Sequence, residues 1–181
     1  TVLFLLSGGG SALFEAPLIP PEELQNITGQ LLSGGADIVE MNTLRKRLSA
    51  VKGGRFALHC APAKVFSVVL SDIIGDPLDM IASGPAWPDQ SSSAQALAIA
   101  EKYSLRLSEE AGACLREETP KELPNASAII TGSVRELCLA AGDACRELGY
   151  QVIQLTDCMD CEAREAGRFL AAVARSHQSG E

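Results

Sequence analysis

Residues 3–14 read LFLLSGGGSALF, and the fold turns on how this stretch is understood. Four apolar residues run into Ser7, three successive glycines and Ser11, and the chain then becomes apolar again at once. A short apolar run closed by glycine and small hydroxyl residues has the pattern of a strand buried on both faces of a parallel sheet. Three further runs share it: 64–71 (KVFSVVLS), 126–131 (ASAIIT) and 150–156 (YQVIQLT). Helical stretches lie around them at 21–33, 36–50, 92–103, 108–118, 133–148 and 160–176. In 133–148, Leu137, Ala141, Ala144 and Leu148 recur at helical spacing, and Gly149 follows as a stop. Strands alternating with helices imply crossover connections. The expectation is therefore an α/β fold, a Rossmann-like three-layer α/β/α sandwich with a mainly parallel sheet, forming a single domain over 1–181. Residues 84–93 (GPAWPDQSSS) read as an exposed loop leading into a helix N-terminus.

Composition narrows the function. The chain has 181 residues and 46% hydrophobic content, enough for a real core. No apolar run approaches the ~20 residues of a membrane span, and residues 2–6 are too short for a secretory core. A cytoplasmic protein with no membrane partner is expected. A net charge of −8 argues against nucleic-acid binding. Five of the 15 basic residues nevertheless crowd into eleven positions, as Arg45, Lys46, Arg47, Lys52 and Arg55. Such a patch on an acidic protein suits an anionic small molecule. The six cysteines read as free thiols. Cys158 and Cys161 have zinc or redox spacing but lack a second CxxC, and their role stays open. His59 and His177 stand far apart in sequence.

In open α/β sheets, ligands sit at the carboxyl ends of the strands. Here those ends read Ser7-Gly8, Ser71-Asp72, Thr131-Gly132-Ser133 and Thr156-Asp157. The stretch Ser7, Gly8, Gly9, Gly10, Ser11 fails both familiar nucleotide patterns, because Ala12-Leu13 stands where a P-loop or dinucleotide fingerprint must continue. What remains is an anion cradle of successive N–H groups, or simply a tight turn for close helix–sheet packing. On a helical projection of 40–55, Met41, Leu44, Leu48 and Val51 form an apolar stripe. Asn42, Arg45, Ser49 and Lys52 form a polar one beside it. Arg45 and Lys52 then point to the rim of the core, bordering a cleft or snorkelling along a solvated face, while Lys46 and Arg47 point outward. Past the second strand, Asp72, Asp76 and Asp79 could hold Mg²⁺ with substrate phosphates, or Asp72 could alternatively serve as a general base toward a substrate hydroxyl. Aspartates also cap and turn loops without further role. Ser83-Gly84-Pro85 adds another tight turn.

Taken in order, SGGGSAL, NTLRKRLSAVKGGR, LSDIIGDPLDMIASGP and AREAG resemble the type II glycerate 2-kinases, also labelled hydroxypyruvate reductases. The match spans nearly the whole chain. It departs at Ala86-Trp87, where a threonine is usual, at Val134, where asparagine is common, and at Cys161, which replaces a glycine. The resemblance implies ATP-dependent phosphorylation of D-glycerate to 2-phosphoglycerate with Mg²⁺. It also implies a helical segment before the glycine-rich strand and a C-terminal MOFRL-type domain, neither present in these residues, so that little kinase activity is expected from them alone. Physics and resemblance together nominate Asp72, Arg45 and Lys52 as catalytic. They nominate Ser7–Ser11, Asn42, Ser83 and Gly84 as substrate or phosphate contacts, and Asp72 with Asp76 as metal ligands. A homo-oligomer is compatible with the sequence. The rival readings are a reductase, which would need a nicotinamide fingerprint and a placed histidine, and a non-catalytic anion-binding or oligomerisation domain.

Overall fold

The structure, a computed structural model, describes residues 1–176; His177 lies outside the described residues. The chain divides into two compact units, Thr1–Val134 and the part beginning at Arg135. In the first unit three strands, β1 (Val2–Leu6), β2 (Val65–Leu70) and β3 (Ala126–Gly132), form one parallel sheet in the order β1-β2-β3. The register pairs Leu5 with Val68 and Val68 with Ile129, and an irregularity falls between Val69 and Leu70 at the carboxyl edge. Parallel neighbours need crossovers. The first crossover contains α1 (Gly10–Leu13), α2 (Pro21–Gly34), α3 (Ile38–Arg47) and α4 (Arg55–Cys60); the second contains α5 (Ser93–Lys102) and α6 (Glu109–Arg116). The α/β architecture with a parallel sheet is as the sequence predicts.

Burial along the strands alternates. Leu6, Val65, Ser67 and Val69 face a packed interior, whereas Leu3, Leu5, Phe66, Leu70 and Ile129 are exposed. The expectation of burial on both strand faces is thus corrected. Continuous apolar runs record a capacity for burial on either side, and only packing decides which side uses it. A second core contains no strand residue at all: Ile27 and Leu31 of α2, Leu44 of α3, Ala96 of α5, and Ala111 with Leu115 of α6, together with Ile19 and Leu48. Local chemistry sets the helix starts. Asp37 and Glu40 form a reciprocal capping box on α3, and Ser92 with Gln95 does the same on α5.

The helix expected over 36–50 ends at Arg47. Beyond it the chain pairs with the segment after α1, through Leu18 N–H to Leu48 O (2.9 Å) and Ala50 N–H to Ala16 O (2.8 Å). The Arg55 guanidinium satisfies the carbonyls left open at that terminus, donating to Lys46 O, Arg47 O and Ser49 O. Residues 81–86 and Asp89 are buried and Gln90 alone of residues 84–93 is exposed, so the exposed loop read there is corrected. Glycine and proline there mark a backbone that must turn inside the protein.

The second unit contains α7 (Val134–Glu147) and α8 (Ala163–Ser176). The strand expected at 150–156 is not formed. A strand exists only through a ladder partner, and apolar content alone cannot supply one. Cys138, Cys145, Val152, Met159 and Leu170 line an open apolar groove of about 470 Å³ within this unit. All six cysteines are free, and no cluster of three or more metal-ligating side chains occurs among the described residues. Among those residues, no helix is long and apolar enough to cross a membrane.

Candidate active site

At the carboxyl end of β1, Ser7, Gly8 and Gly9 are exposed, and the chain reverses at Gly9 (φ 86°) into the single turn of α1. Phe4, Phe14 and Phe56 support this reversal from below, with ring centroids 4.7–5.2 Å apart. From the end of β2 comes Asp72, itself exposed. A Cβ on Gly8 would stand 2.7 Å from Asp72 Oδ2, so the carboxylate lies directly against the glycine backbone. Glycine at position 8 is what permits this approach. The strand-end carboxylate and the glycine loop, separated by 64 positions in sequence, thereby form one surface.

Arg45 and Lys52 converge behind this surface, on one atom. Arg45 Nη2 and Lys52 Nζ each donate to the Ser11 carbonyl at 2.8 Å. Arg45 is half-buried and borders an open groove of about 590 Å³ with Ala12, Glu15, Glu22 and Gln25. Lys52 is fully buried. Its ammonium also donates to Ala82 O at 3.3 Å and stands 3.7 Å from Glu15 Oε2. Burial pushes Lys52 down to about 8; the neighbouring Glu15 opposes that shift and the Arg45 charge adds to it.

The turn at 82–84 is unusual. Ala82, Ser83 and Gly84 take φ of 51°, 63° and 62° in succession, the left-handed region that costs a residue with a side chain about 1–3 kcal/mol. Position 84 admits only glycine, because a Cβ there would stand 2.7 Å from the Asp79 carbonyl oxygen. Four consecutive carbonyls of this turn are claimed by one segment. Lys52 Nζ donates to Ala82 O (3.3 Å), Gly53 N–H to Ser83 O (2.9 Å), Gly54 N–H to Gly84 O (2.7 Å) and Ala57 N–H to Pro85 O (3.3 Å). Ser83 Oγ donates to Asn42 Oδ1 at 2.9 Å, both side chains being buried. Asn42 and Ser83, nominated as ligand contacts, therefore face each other inside the protein. Asp76 also has a positive φ, and its buried Oδ1 accepts no hydrogen bond among the described residues.

Lys46 and Arg47 do not point outward. Both are fully buried, in an ionic network that sequence reasoning missed. Lys46 bridges Asp79 (3.1 Å) and Asp89 (2.9 Å), and Arg47 reaches Asp89 (3.6 Å), Glu118 (3.3 Å) and Ser91. Asp89 accepts further from Thr119 Oγ1 (2.6 Å) and from the Ser91 backbone and hydroxyl. Burial alone would raise the Asp89 carboxyl, but hydrogen bonds from Thr119, Ser91 and Lys46 outweigh it and hold it at about 2. Helical projection failed here because the second half of α3, from Asn42 to Arg47, is enclosed nearly all round, whereas Ile38 and Val39 at its start are exposed. No local signal pairs Lys46 with carboxylates 33 and 43 positions away. Through Asp79 this network anchors the loop that carries Asp72 and Asp76.

Set beside known proteins, residues 1–116 match a family model described as a domain of unknown function, DUF4147. The chain is 52% identical over 177 residues to the D-glycerate 2-kinase of Thermotoga maritima, covering 97% of this chain and 42% of that protein. It is 39% identical over 189 residues to the glycerate kinase of Mus musculus, covering 97% of this chain and 36% of the relative. A crystal structure of the Thermotoga maritima glycerate kinase superposes with a TM-score of 0.86 at 50% identity, covering 98% of this chain and 44% of the other. The chain spans about two fifths of the length of the curated relatives it matches.

Proposed function

Since the chain belongs to the DUF4147 family, we propose that the protein carrying it is a D-glycerate kinase, transferring the terminal phosphoryl group of ATP to the 2-hydroxyl of D-glycerate. One observation carries this reading: the Asp72 carboxylate lies against Gly8 of an exposed, side-chain-free loop. Phosphoryl transfer asks chiefly for positioning and charge neutralisation, with no covalent nucleophile. Ser7, Gly8, Gly9, Gly10 and Ser11 act as the cradle for an anion, either a nucleotide phosphate or the glycerate carboxylate. Arg45, fixed by Ser11, offers its remaining guanidinium edge at the rim, where a carboxylate can be gripped by paired N–H groups. Asp72 accepts the proton of the substrate hydroxyl as that oxygen attacks phosphorus and ADP departs. Asn42, Ser83, Gly84 and Lys52 serve by holding the shape of this surface rather than by touching ligand.

Magnesium fits the residues present. Among the described residues the buried Asp76 Oδ1 lacks a partner, and Asp72 supplies an exposed carboxylate; each is a hard-oxygen donor of the kind that holds Mg²⁺ together with substrate phosphates. When bound, the ion would neutralise charge on the phosphates in flight. The test is a steady-state assay of the full-length protein with Mg·ATP and D-glycerate. Asp72→Asn is expected to lower kcat by about 10²–10⁴-fold, the range for a general base, with an unchanged circular dichroism spectrum. Hydroxypyruvate-dependent NAD(P)H oxidation without glycerate phosphorylation would overturn the kinase reading.

A further inference from the structure

Two of the six cysteines, Cys158 and Cys161, stand with two residues between them in the segment that leads into α8. Both are exposed and free, so packing does not account for either thiol. We propose that they form a reversible thiol-modification site for small cationic disulfides, closing into an intramolecular Cys158–Cys161 bond. A disulfide needs its two Cα atoms within about 7 Å, a span that a four-residue turn supplies. No ladder has to break for that turn to form: among the described residues, no backbone-to-backbone hydrogen bond involves 157–161. The Cys158 amide donates to Thr156 Oγ1 at 3.0 Å, outside the turn to be closed. The other exposed thiol, Cys145, has no partner at that spacing. It shares α7 with Cys138, seven positions away, about 10 Å along the helix and beyond disulfide reach.

The neighbours set the order of attack. Cys158 Sγ donates to Asp157 Oδ1 at 3.2 Å, and that carboxylate pushes the thiol up from its ordinary value. Among the described residues Cys161 makes no such bond. Cys161 therefore reacts first: it releases its proton to water and attacks one sulfur of R–S–S–R, whose S–S bond breaks, and the departing RS⁻ takes up a proton. Cys158 then passes its proton through Asp157 to solvent as its sulfur attacks the Cys161 sulfur and expels the second RS⁻. Two protein thiols are oxidised to one disulfide, and one small disulfide is reduced to two thiols. Charge selects the reagent. Asp157, Asp160 and Glu162 crowd the pair, against Arg164 and Arg135, the latter 3.7 Å from Asp157, on a chain of net charge −8. A cationic disulfide is drawn in and an anionic one repelled. None of this requires kinase activity.

The test exposes the reduced full-length protein to cystamine, blocks the remaining thiols with N-ethylmaleimide and maps tryptic peptides by mass. Peptide 147–164, which holds both cysteines, is expected to lose two hydrogens and carry no adduct, while Cys145 keeps a cysteamine adduct. Excess dithiothreitol should reverse both changes. At low ionic strength cystamine should close the pair about tenfold faster than the anionic glutathione disulfide, the low end of electrostatic steering, and added salt should narrow the gap. Cys158→Ser should trap a cysteamine adduct on Cys161, and Cys161→Ser should leave Cys158 the slower thiol of the two. Both substitutions change exposed side chains, and an unchanged circular dichroism spectrum checks the fold. Peptide 147–164 bearing lasting adducts, or unmodified while Cys145 reacts, overturns the proposal. So does a bond from Cys158 or Cys161 to Cys138 or Cys145, or equal rates with the two reagents.

Discussion

Replacing Asp89 by asparagine keeps the side chain's shape and removes its charge from between Lys46 and Arg47. Lys46 would retain only Asp79, and Arg47 would retain Glu118, whose side chain is 47% exposed. Two routes give the cost. Depression of the Asp89 carboxyl from 3.8 to about 2 corresponds to about 2.4 kcal/mol in favour of the charged form. Breaking a buried ion pair on one side typically costs about 3–5 kcal/mol. Asp89→Asn should therefore lose about 3 kcal/mol of stability at pH 7. A carboxylate with a lowered folded-state value contributes above 3.8 and loses that contribution as pH falls toward 2. The charge-dependent part should accordingly shrink to about 1.3 kcal/mol at pH 3. Urea unfolding followed through Trp87, the single tryptophan, measures both values. A loss below about 1 kcal/mol at pH 7, or an equal loss at pH 3, would refute the assignment of Asp89 as the charged centre of this network.

Two further substitutions probe the frame. Gly84→Ala meets both a left-handed φ and the Asp79 carbonyl, and should destabilise by about 2–4 kcal/mol in the same urea assay; a neutral result would mean the turn can relax. Asp37→Ala removes the capping box of α3 and should cost about 1 kcal/mol, read as a drop in urea midpoint without change in slope.

The parts of the fold legible in sequence were those set by local chemistry. Leu3–Leu6 running into glycine announced β1, and Asp72 announced itself by standing one residue past an apolar run. The helix read from residue 92 begins where the structure shows Ser92 and Gln95 forming a capping box. What escaped depended on distant partners. Lys46 and Arg47 look like solvent residues until Asp79, Asp89 and Glu118 are folded against them. The helix α4, only six residues after two glycines, carries too little periodicity to be seen. Lys52 was found as a charge near the site, but its burial was not readable, because it follows from the turn at 82–84 closing over it.

The four carbonyls of 82–85 held by residues 52–57 also bear on how this sequence can drift. Side chains in either segment can change wherever they neither carry the bonds nor, as at Gly84, would strike a neighbouring backbone. The number of residues cannot, because one insertion or deletion shifts every later donor off its acceptor. Among homologues, both segments should therefore be frozen in length while varying in composition. Exposed connections such as the one around Ser104 are free to lengthen.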